Sequence, residues 1–330
     1  MRPPAFWRTA PDRPALMARV LQPLGALYGE ATARRLKKPG YTAKIPVICI
    51  GNLNVGGTGK TPTAIALIER LAQRGQSGAH IISRGYGGRL VGPVRVDPLS
   101  HTAADVGDEP LLLAAFAPTW VAKDRASGVQ AAEAAGATAI LLDDGFQNPN
   151  VAKSLSIIVV DAGMGFGNGR CIPAGPLREP VGTGLARADL LLSIGASADQ
   201  DRFSAQWGAK ITLPHLTGEL AALQMGMDWH GLRALAFAGI GHPDKFFATL
   251  RGEGAMLAAT VALDDHEPLS SALMQRLELQ ARSLNAQLVT TEKDAARLPD
   301  SFRSKVLTLP VRLQLHDWSV LDTKLSKLGL

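Results

Sequence analysis

The sequence is poor in cysteine and in aromatic residues, and it has no long apolar run. Its two cysteines, Cys49 and Cys171, lie far apart among 330 residues, without the spacing of metal ligands or of a disulfide framework. We therefore expect a reducing compartment. No apolar run reaches the ~18–20 residues of a spanning helix, which argues against a transmembrane segment. No internal repeat or low-complexity tract is present. The length suggests about two domains, and a hydrophobic content of 46% is ample for buried cores.

Positive charge is concentrated at the start of the chain. Residues 1–40 carry eight basic and two acidic side chains, and this balance of +6 equals the net charge of the whole sequence. The remaining residues are neutral overall. We predict no nucleic-acid partner and infer no protein partner. The basic residues are Arg2, Arg8, Arg13, Arg19, Arg34, Arg35, Lys37 and Lys38.

The same basic segment has an apolar helical face. Seven side chains fall within an arc of roughly 140° on a helical wheel: Leu16, Met17, Val20, Leu21, Leu24, Leu27 and Tyr28. Pro23 and Gly25 are expected to kink this helix or to split it in two. A cationic amphipathic segment is typical of peripheral contact with an anionic membrane surface. The alternatives are a terminal helix packed on the body with a solvated basic face, and an organelle-targeting arm.

Residues 52–62, NLNVGGTGKTP, have the chemistry of a phosphate-binding (Walker A) loop. Such a loop wraps phosphates with backbone N–H groups at the start of a helix, and its glycines let the backbone approach closely. Lys60 is expected to neutralise phosphate charge, and Thr61 to place its hydroxyl on Mg²⁺. The strict pattern has glycine where this chain has Asn54; asparagine is a plausible substitute because it tolerates left-handed geometry. The predicted nucleotide contacts are Asn54, Val55, Gly56, Gly57, Thr58, Gly59, Lys60 and Thr61.

Strand and helix patterns alternate after this loop and predict a parallel α/β sheet of the P-loop NTPase type. The apolar strand at residues 137–142 ends in Asp143 and Asp144, which is typical of a Walker B motif that holds Mg²⁺ or its waters. A single aspartate after a strand is common and indicates little alone. The phosphate-binding loop upstream strengthens the interpretation.

Other polar segments lie where a ligand could bind. Residues 84–88, RGYGG, follow a strand at the edge where open α/β sheets bind ligands. Asp108 and Glu109 open an apolar helix, and capping alone would explain them because the helix dipole favours acids there. The stretch 161–180 has too many glycines and prolines for a helix and is predicted to be a long loop. Its Arg178 either holds phosphate bidentately or pairs with a surface acid.

The sequence resembles the tetraacyldisaccharide 4′-kinase family in eight motifs that follow the same order: GNLNVGGTGKTP, SRGYGG, GDEP, LDDGFQ, GFGNGR, PAGPLREP, GIGHPDKFF and TTEKDA. They run from Gly51 to Ala295. The resemblance implies an enzyme that uses ATP and Mg²⁺ to transfer the γ-phosphate to the 4′-hydroxyl of tetraacyl disaccharide 1-phosphate, the lipid A precursor, forming lipid IVA. It also implies a peripheral location at the cytoplasmic face of the bacterial inner membrane.

The resemblance also implies roles for individual residues. Asp108 would be the base, with Glu109 beside it, His266 near this acid, and Lys60 completing the catalytic set. The implied metal ligands are Thr61, Asp143 and Asp144, and the implied substrate contacts are Arg84, Tyr86, Arg125, Gln147, Arg178 and Glu179. Taken alone, His266 is more simply a surface-loop residue. The family usually continues DDGFQ with His and then Arg-Asp, where this chain has Asn148 and Lys153-Ser154, so no role is carried over to those positions.

The chain is predicted to divide into the basic membrane-associated segment 1–40, a P-loop kinase domain at 41–207, a two-stranded linker at 208–228 and a smaller α/β domain at 229–330. The smaller domain lacks the G-x-G-x-x-G spacing, so we expect no second nucleotide there. Its Lys293 is either a structural ion-pair partner or a site residue. If His266 belongs to the site, the two domains must close on one another during turnover.

Three other functions share parts of this sequence pattern. A partition-type ATPase also joins a P-loop to an amphipathic helix, but it carries lysine where this chain has Val55. A GTP-dependent switch needs [NT]-K-x-D, whereas residues 291–294 read TEKD. A P-loop kinase acting on a soluble metabolite remains the alternative, and it would not need the amphipathic segment.

Overall fold

The computed structural model describes residues 3–330, which form two sheets with their helices. Arg2, one of the basic residues of the N-terminal segment, lies outside the described residues. The strands are β1 Val47–Gly51, β2 Ala79–Ser83, β3 Val94–Arg95, β4 Thr119–Val121, β5 Ala139–Asp143, β6 Leu155–Asp161, β7 Leu190–Ile194, β8 His215–Ala222, β9 Arg233–Ala238, β10 Met256–Ala262, β11 Gln287–Thr291, β12 Val306–Leu309 and β13 Val311–Leu315.

Helices connect most of these strands. They are α1 Leu16–Val20, α2 Gln22–Leu36, α3 Lys60–Gln73, α4 Ala103–Val106, α5 Asp108–Leu113, α6 Arg125–Ala134, α7 Val181–Leu185, α8 Ser197–Trp207, α9 Pro243–Gly252, α10 Ser271–Ser283, α11 Glu292–Ala295, α12 Asp300–Arg303 and α13 Ser319–Lys327, with 3-10 turns at Ala5–Arg8 and Gly208–Lys210.

The larger sheet has nine strands in the order β13-β8-β7-β6-β1-β5-β2-β4-β3. Seven neighbouring strands, β8 to β4 in that order, are parallel, and the edge strands β13 and β3 are antiparallel to their neighbours. The central strands are apolar and buried along their whole length because helices cover both faces. Since β1 lies between β5 and β6, the carboxyl ends of β1 and β5 meet at one edge, and this edge carries the site.

The larger sheet has a separate core on each face. One core joins Leu67 and Leu71 of α3 to Leu321 and Leu325 of α13. The other core includes Val129 of α6, and α7 and α8 also contribute to it. Burial of these helices fixes α3, and therefore the loop that precedes it, against the sheet.

The smaller sheet is wholly parallel, in the order β10-β9-β11-β12. Helix α10 covers one face, where Met274 and Leu277 are buried, and α9 covers the other with Phe246 and Phe247. The loops after β10 and β11 lie at its carboxyl edge, which faces the site of the larger domain. This sheet is the smaller α/β unit expected from the sequence.

The structure differs from the expected division at residues 208–228 and at the end of the chain. The expected linker contains one strand, β8, and this strand belongs to the larger sheet. After β12 the chain returns to the larger sheet as β13 and α13, so residues 311–327 pack with the first domain. Arg70 of α3 donates to the Asp322 carboxylate of α13 and holds this return in place.

The N-terminal helix is split in two at Leu21, between α1 and α2. Its small residues face the protein: a β-carbon at Gly25 would lie 2.7 Å from the Cys171 carbonyl oxygen, and Gly29 lies against Pro180. Its apolar side chains face outward instead, and they are Leu16, Met17, Val20, Leu24, Leu27 and Tyr28, each 38–77% exposed. None of the helices described in residues 3–330 is long and apolar enough to cross a bilayer.

Candidate active site

The loop between β1 and α3 is shaped as an open cradle of amide groups. Gly56 and Gly59 take positive φ angles of 112° and 95°, which a side chain would strain. Within residues 3–330, the backbone N–H groups of residues 56–59 donate to no protein acceptor. A β-carbon built at Gly56 or Gly57 would meet nothing within 4 Å. Unpaired amides at a helix N-terminus are suited to bind phosphate oxygens.

Asn54 fills the first glycine position of the motif for a different reason from the one expected. It does not adopt a left-handed backbone; it pairs in an antiparallel bridge with Leu177, and its buried side chain donates to the Gly165 carbonyl oxygen at 3.0 Å. The Val55 N–H donates to the Pro176 oxygen at 2.8 Å. The long loop 161–180 therefore supports the phosphate-binding loop from outside the sheet.

Asp144 lies between two cations at the mouth of the cradle. Its Oδ1 atom is 3.7 Å from the Lys60 ammonium nitrogen and 2.9 Å from Nη1 of Arg178. Burial opposes ionisation of Asp144, but Lys60 and Arg178 outweigh it and hold its pKa below the ordinary value. Its φ of 51° turns the chain sharply after β5. This carboxylate therefore stays ionised and pairs with both cations.

Asp143 has the opposite electrostatic character. It is 2% exposed, and burial, followed by the charges of Glu109 and Asp144, raises its pKa to about 7. Ser83 donates to its Oδ2 atom at 3.2 Å, whereas its buried Oδ1 atom accepts no hydrogen bond from residues 3–330. A buried carboxylate oxygen without a donor, beside a second carboxylate, fits a hard cation such as Mg²⁺. No cluster of three His, Cys, Asp or Glu residues suited to a metal occurs within those residues, so phosphate oxygens or waters would complete such a site.

Two residues from different domains meet at the start of α5. Asp108 is 5% exposed; its Oδ1 atom accepts from the Glu109 N–H at 2.9 Å, and its Oδ2 atom lies 2.9 Å from Nδ1 of His266. Burial opposes ionisation of Asp108, but the hydrogen bond from His266 and the charge of Lys293 outweigh it and lower its pKa. The φ of His266 is 61°, a strained value for a non-glycine residue. Asp108 is thus an ionised acceptor that the smaller domain engages directly.

The predicted substrate residues occupy two environments. Arg84 and Tyr86 are exposed on the loop after β2, and the Tyr86 ring lies 5.5 Å from the ring of His266. Gln147 is half-buried: its amide donates to the Asn52 carbonyl oxygen at 2.8 Å, and its own oxygen accepts from Arg178. These three side chains, with Arg178, line or adjoin the cleft.

Glu179 and Arg125 are buried instead of facing the cleft. Glu179 is 1% exposed, and both of its oxygens accept from Arg187. Arg125 is 2% exposed and donates to the Ala122 carbonyl oxygen at 2.8 Å, with its Nη2 atom 3.5 Å from the Asp143 carbonyl oxygen. In this conformation they support the site from beneath.

Sequence reasoning missed Asn52, which shapes the phosphate-binding loop from inside. Its amide is fully buried and donates to the Gly56 carbonyl oxygen and to the Thr58 hydroxyl, each at 3.2 Å. The feature of the sequence that could have indicated this role is an amide side chain directly after β1, where strands of open α/β sheets end at the ligand-binding edge. Asn52 thereby holds the loop in its open shape.

The fold and the site together define a P-loop α/β protein, with a Walker A loop after β1 and an aspartate pair at the end of the adjacent strand β5. A family model described as tetraacyldisaccharide-1-P 4′-kinase (LpxK) matches residues 17–329. The chain belongs to this kinase family.

Individual relatives agree with this family. The tetraacyldisaccharide 4′-kinase of Dinoroseobacter shibae is 65% identical, over 99% of this chain and 98% of the relative. That of a Jannaschia species is 57% identical, over 99% of both chains. The solved structure of LpxK from Aquifex aeolicus, described as an "apo" form in complex with ATP, has a TM-score of 0.77, covers 95% of this chain and 99% of its own, and is 23% identical. It shows that the fold is shared.

Proposed function

We propose that this protein transfers the γ-phosphate of ATP to the 4′-hydroxyl of the tetraacyl disaccharide 1-phosphate precursor of lipid A, forming lipid IVA. The observation that carries the proposal is the 2.9 Å contact between Asp108 and His266, which lies near the aspartate pair, since the charge of the adjacent Glu109 raises the pKa of Asp143. It puts an ionised proton acceptor beside a phosphate-binding loop. Family membership favours this lipid acceptor over the soluble metabolite that the sequence left open.

Asp108 serves as the general base in this proposal. In a loose phosphoryl-transfer transition state the hydroxyl loses its proton late, so a carboxylate with a low pKa suffices. His266 donates its Nδ1 hydrogen to one oxygen of Asp108 and directs the carboxylate toward the acceptor. Glu109 lies beside the base and faces Lys293.

The amide cradle and Lys60 bind the phosphates of the nucleotide. Lys60 withdraws charge from the transferred group, and Arg178 adds a second cation at 2.9 Å from Asp144. Asp143, through its unpaired Oδ1 atom, and Thr61 would hold Mg²⁺, with Asp144 next to it. Bound there, the ion would neutralise charge that develops on the phosphate oxygens.

The N-terminal helices place the enzyme on its lipid substrate. Helices α1 and α2 pack on the protein through small residues and expose their apolar residues, the reverse of a terminal helix that only stabilises a core. Exposed apolar side chains flanked by arginines and lysines suit the surface of an anionic bilayer. We therefore propose peripheral attachment to the cytoplasmic face of the inner membrane.

Transfer of label from [γ-³²P]ATP tests the proposal. Wild-type protein is incubated with lipid disaccharide 1-phosphate in detergent micelles and, in parallel, with a soluble, deacylated disaccharide 1-phosphate. We expect efficient transfer only to the micellar lipid, and loss of transfer by orders of magnitude in Lys60→Ala. Equal transfer to both acceptors would favour a soluble-metabolite kinase, and near-normal activity in Lys60→Ala would show that the loop is not the site.

A further inference from the structure

Lys293 reaches from the smaller domain into the acidic turn at the start of α5. It is the second residue of α11, and that short helix is anchored: the Thr291 hydroxyl accepts from the Asp294 N–H at 3.1 Å. Asp294 is fully buried and accepts from the Gly239 N–H and from Arg297. Asp294, the residue that follows Lys293, is therefore fixed in the core, and this anchors the backbone at Lys293. The Lys293 side chain is only 18% exposed.

The Lys293 ammonium contacts charged groups of both domains. Its Nζ atom is 3.1 Å from Glu109 Oε1 and 3.9 Å from Asp108 Oδ2 in the larger domain. In the smaller domain it is 3.7 Å from Asp265 Oδ1 and 3.4 Å from His266 Nε2. Burial opposes the charge of Lys293, but Glu109, Asp108 and Asp265 outweigh burial and raise its pKa. The side chain therefore stays an ammonium ion that joins carboxylates across the domain boundary.

The position of this ammonium selects one form of the His266 ring. An ammonium only donates hydrogen bonds, so Nε2 of His266, 3.4 Å away, meets it favourably as an unprotonated acceptor. The ring hydrogen then resides on Nδ1, where it is donated to Asp108 at 2.9 Å. The groups that face His266 are Asp108, Lys293, Asp265 and the ring of Tyr86.

We propose that Lys293 is a positioning residue with two roles. It pairs with Asp108 and Glu109 and so attaches the smaller domain to the turn that these two acids form. It also holds His266 as the neutral Nδ1–H tautomer against the proposed base. The proposal rests on the roles proposed above for Asp108 and His266. A merely structural ion pair would contribute to stability alone. A positioning residue also controls the pH at which the site becomes active.

Steady-state kinetics of Lys293→Met on the micellar lipid substrate test this role. We expect kcat to fall roughly 10–10²-fold, as for a misplaced catalytic group, with the KM for ATP little changed because the phosphate-binding loop is untouched. The acid limb of the kcat–pH profile should move up by roughly one unit, since loss of a nearby cation favours protonation of His266. Lys293→Arg, which keeps the charge, should retain more activity than Lys293→Met. Lys293→Gln is a second uncharged variant if the Met variant does not fold.

A control variant and a double-mutant cycle separate a positioning role from a structural one. Lys305→Met removes another lysine of the smaller domain, one paired at 3.1 Å with Glu278 within the same domain, and it should leave kcat and the pH profile unchanged. In a double-mutant cycle, Lys293→Met and Glu109→Gln should be strongly non-additive in kcat. If Lys293→Met keeps a wild-type kcat and pH profile, with or without a lower melting temperature, while Asp108→Asn loses most of its activity, the inference is overturned. Full activity of Asp108→Asn would instead overturn the proposed base.

Discussion

Neighbouring carboxylates in this site are driven to opposite states by their surroundings. Asp143 is buried beside two other acids and has a pKa of about 7, whereas Asp144 faces Lys60 and Arg178 and its pKa is lowered. The sequence shows only two consecutive aspartates after a strand. Asp144 is paired with the two cations, whereas the Oδ1 atom of Asp143 accepts no hydrogen bond from the residues that the structure describes.

Replacing the proposed base separates catalysis from helix capping. Asp108→Asn should lower kcat about 10²–10⁴-fold, the usual range for a general base, because the amide cannot accept the hydroxyl proton. Asp105→Asn is a matched control: this acid also lies at a helix start, where bonds from Thr102 and Arg89 lower its pKa to about 2. It should reduce the melting temperature and spare the rate. If Asp108→Asn behaves like Asp105→Asn, Asp108 is only a cap.

The pH dependence of stability should report the contact between Asp108 and His266. The hydrogen bond with Asp108 raises the pKa of His266, so this contribution is complete below the ordinary value of about 6.5 and is lost as pH rises through the folded value. The pKa of Asp108 is lowered, so its contribution is present above about 3.9 and is lost on acidification. The difference in melting temperature between wild type and His266→Ala should therefore be largest near about pH 5–6 and shrink above about pH 7–8. A difference that grows toward alkaline pH would contradict this assignment.

At the scale of elements, the loop 161–180 connects the N-terminal segment to the phosphate-binding loop. Trp7 donates its indole N–H to the Pro173 carbonyl oxygen at 3.0 Å, and its own carbonyl oxygen accepts from the Asn168 N–H. At the other end of the loop, the Arg178 N–H donates to the Leu53 carbonyl oxygen at 2.7 Å. A glycine- and proline-rich loop of this length is ordered here because its polar groups are paired on both sides.

Asn168→Ala should loosen this loop. The buried Asn168 amide donates to the carbonyl oxygens of Phe6 and Ala174, at 3.1 and 2.9 Å. Leaving them unpaired should cost about 1–3 kcal/mol of unfolding free energy, measured by denaturant titration. The exposed Asn150→Ala is the control and should change stability little. Equal effects of the two variants would show that the loop does not depend on this contact.

Leu24→Glu tests whether the exposed apolar face of α1 and α2 binds membranes. Leu24 is 53% exposed on α2, and a carboxylate there would carry charge into the apolar face that we propose meets the bilayer. Binding to vesicles that contain anionic phospholipid should weaken even at low salt, as measured by co-sedimentation. Leu279→Glu makes the same change at a 66% exposed position on α10 and should leave binding intact. Equal binding by both variants would mean that attachment lies elsewhere.

Strong local patterns predicted much of the fold. The apolar strand expected at residues 137–142 lies at Ala139–Asp143 as β5, and the Walker A loop, the aspartate pair and the smaller sheet follow from apolar runs and glycine spacing. The sequence did not predict that β13 pairs with the larger sheet, because a strand of five residues with alternating polarity fits the edge of either sheet. The environment of Asn54 was missed because its partner, Leu177, is remote in sequence. The contact between Asp108 and His266 came only from family resemblance, since local pattern carries no information on interdomain distance.

At the scale of the whole molecule, two crossings connect the domains. One runs from β8 to β9, and the other is the single residue Pro310 between β12 and β13. The smaller domain is thus inserted between strands of the larger sheet, and it supplies His266 and Lys293 to a site whose phosphate-binding loop lies on the other domain. Such an arrangement is suited to closure over bound substrates.

We propose that this protein phosphorylates one particular hydroxyl of a lipid disaccharide. The most direct measurement is the structure of the product formed from ATP and tetraacyl disaccharide 1-phosphate, determined by mass spectrometry and phosphorus–proton correlation NMR. We expect a single added phosphate, coupled to the proton at the 4′ position, and far less of this product in reactions with Asp108→Asn. An added phosphate at another position, or no phosphorylated lipid from well-folded wild-type protein, would contradict the proposal.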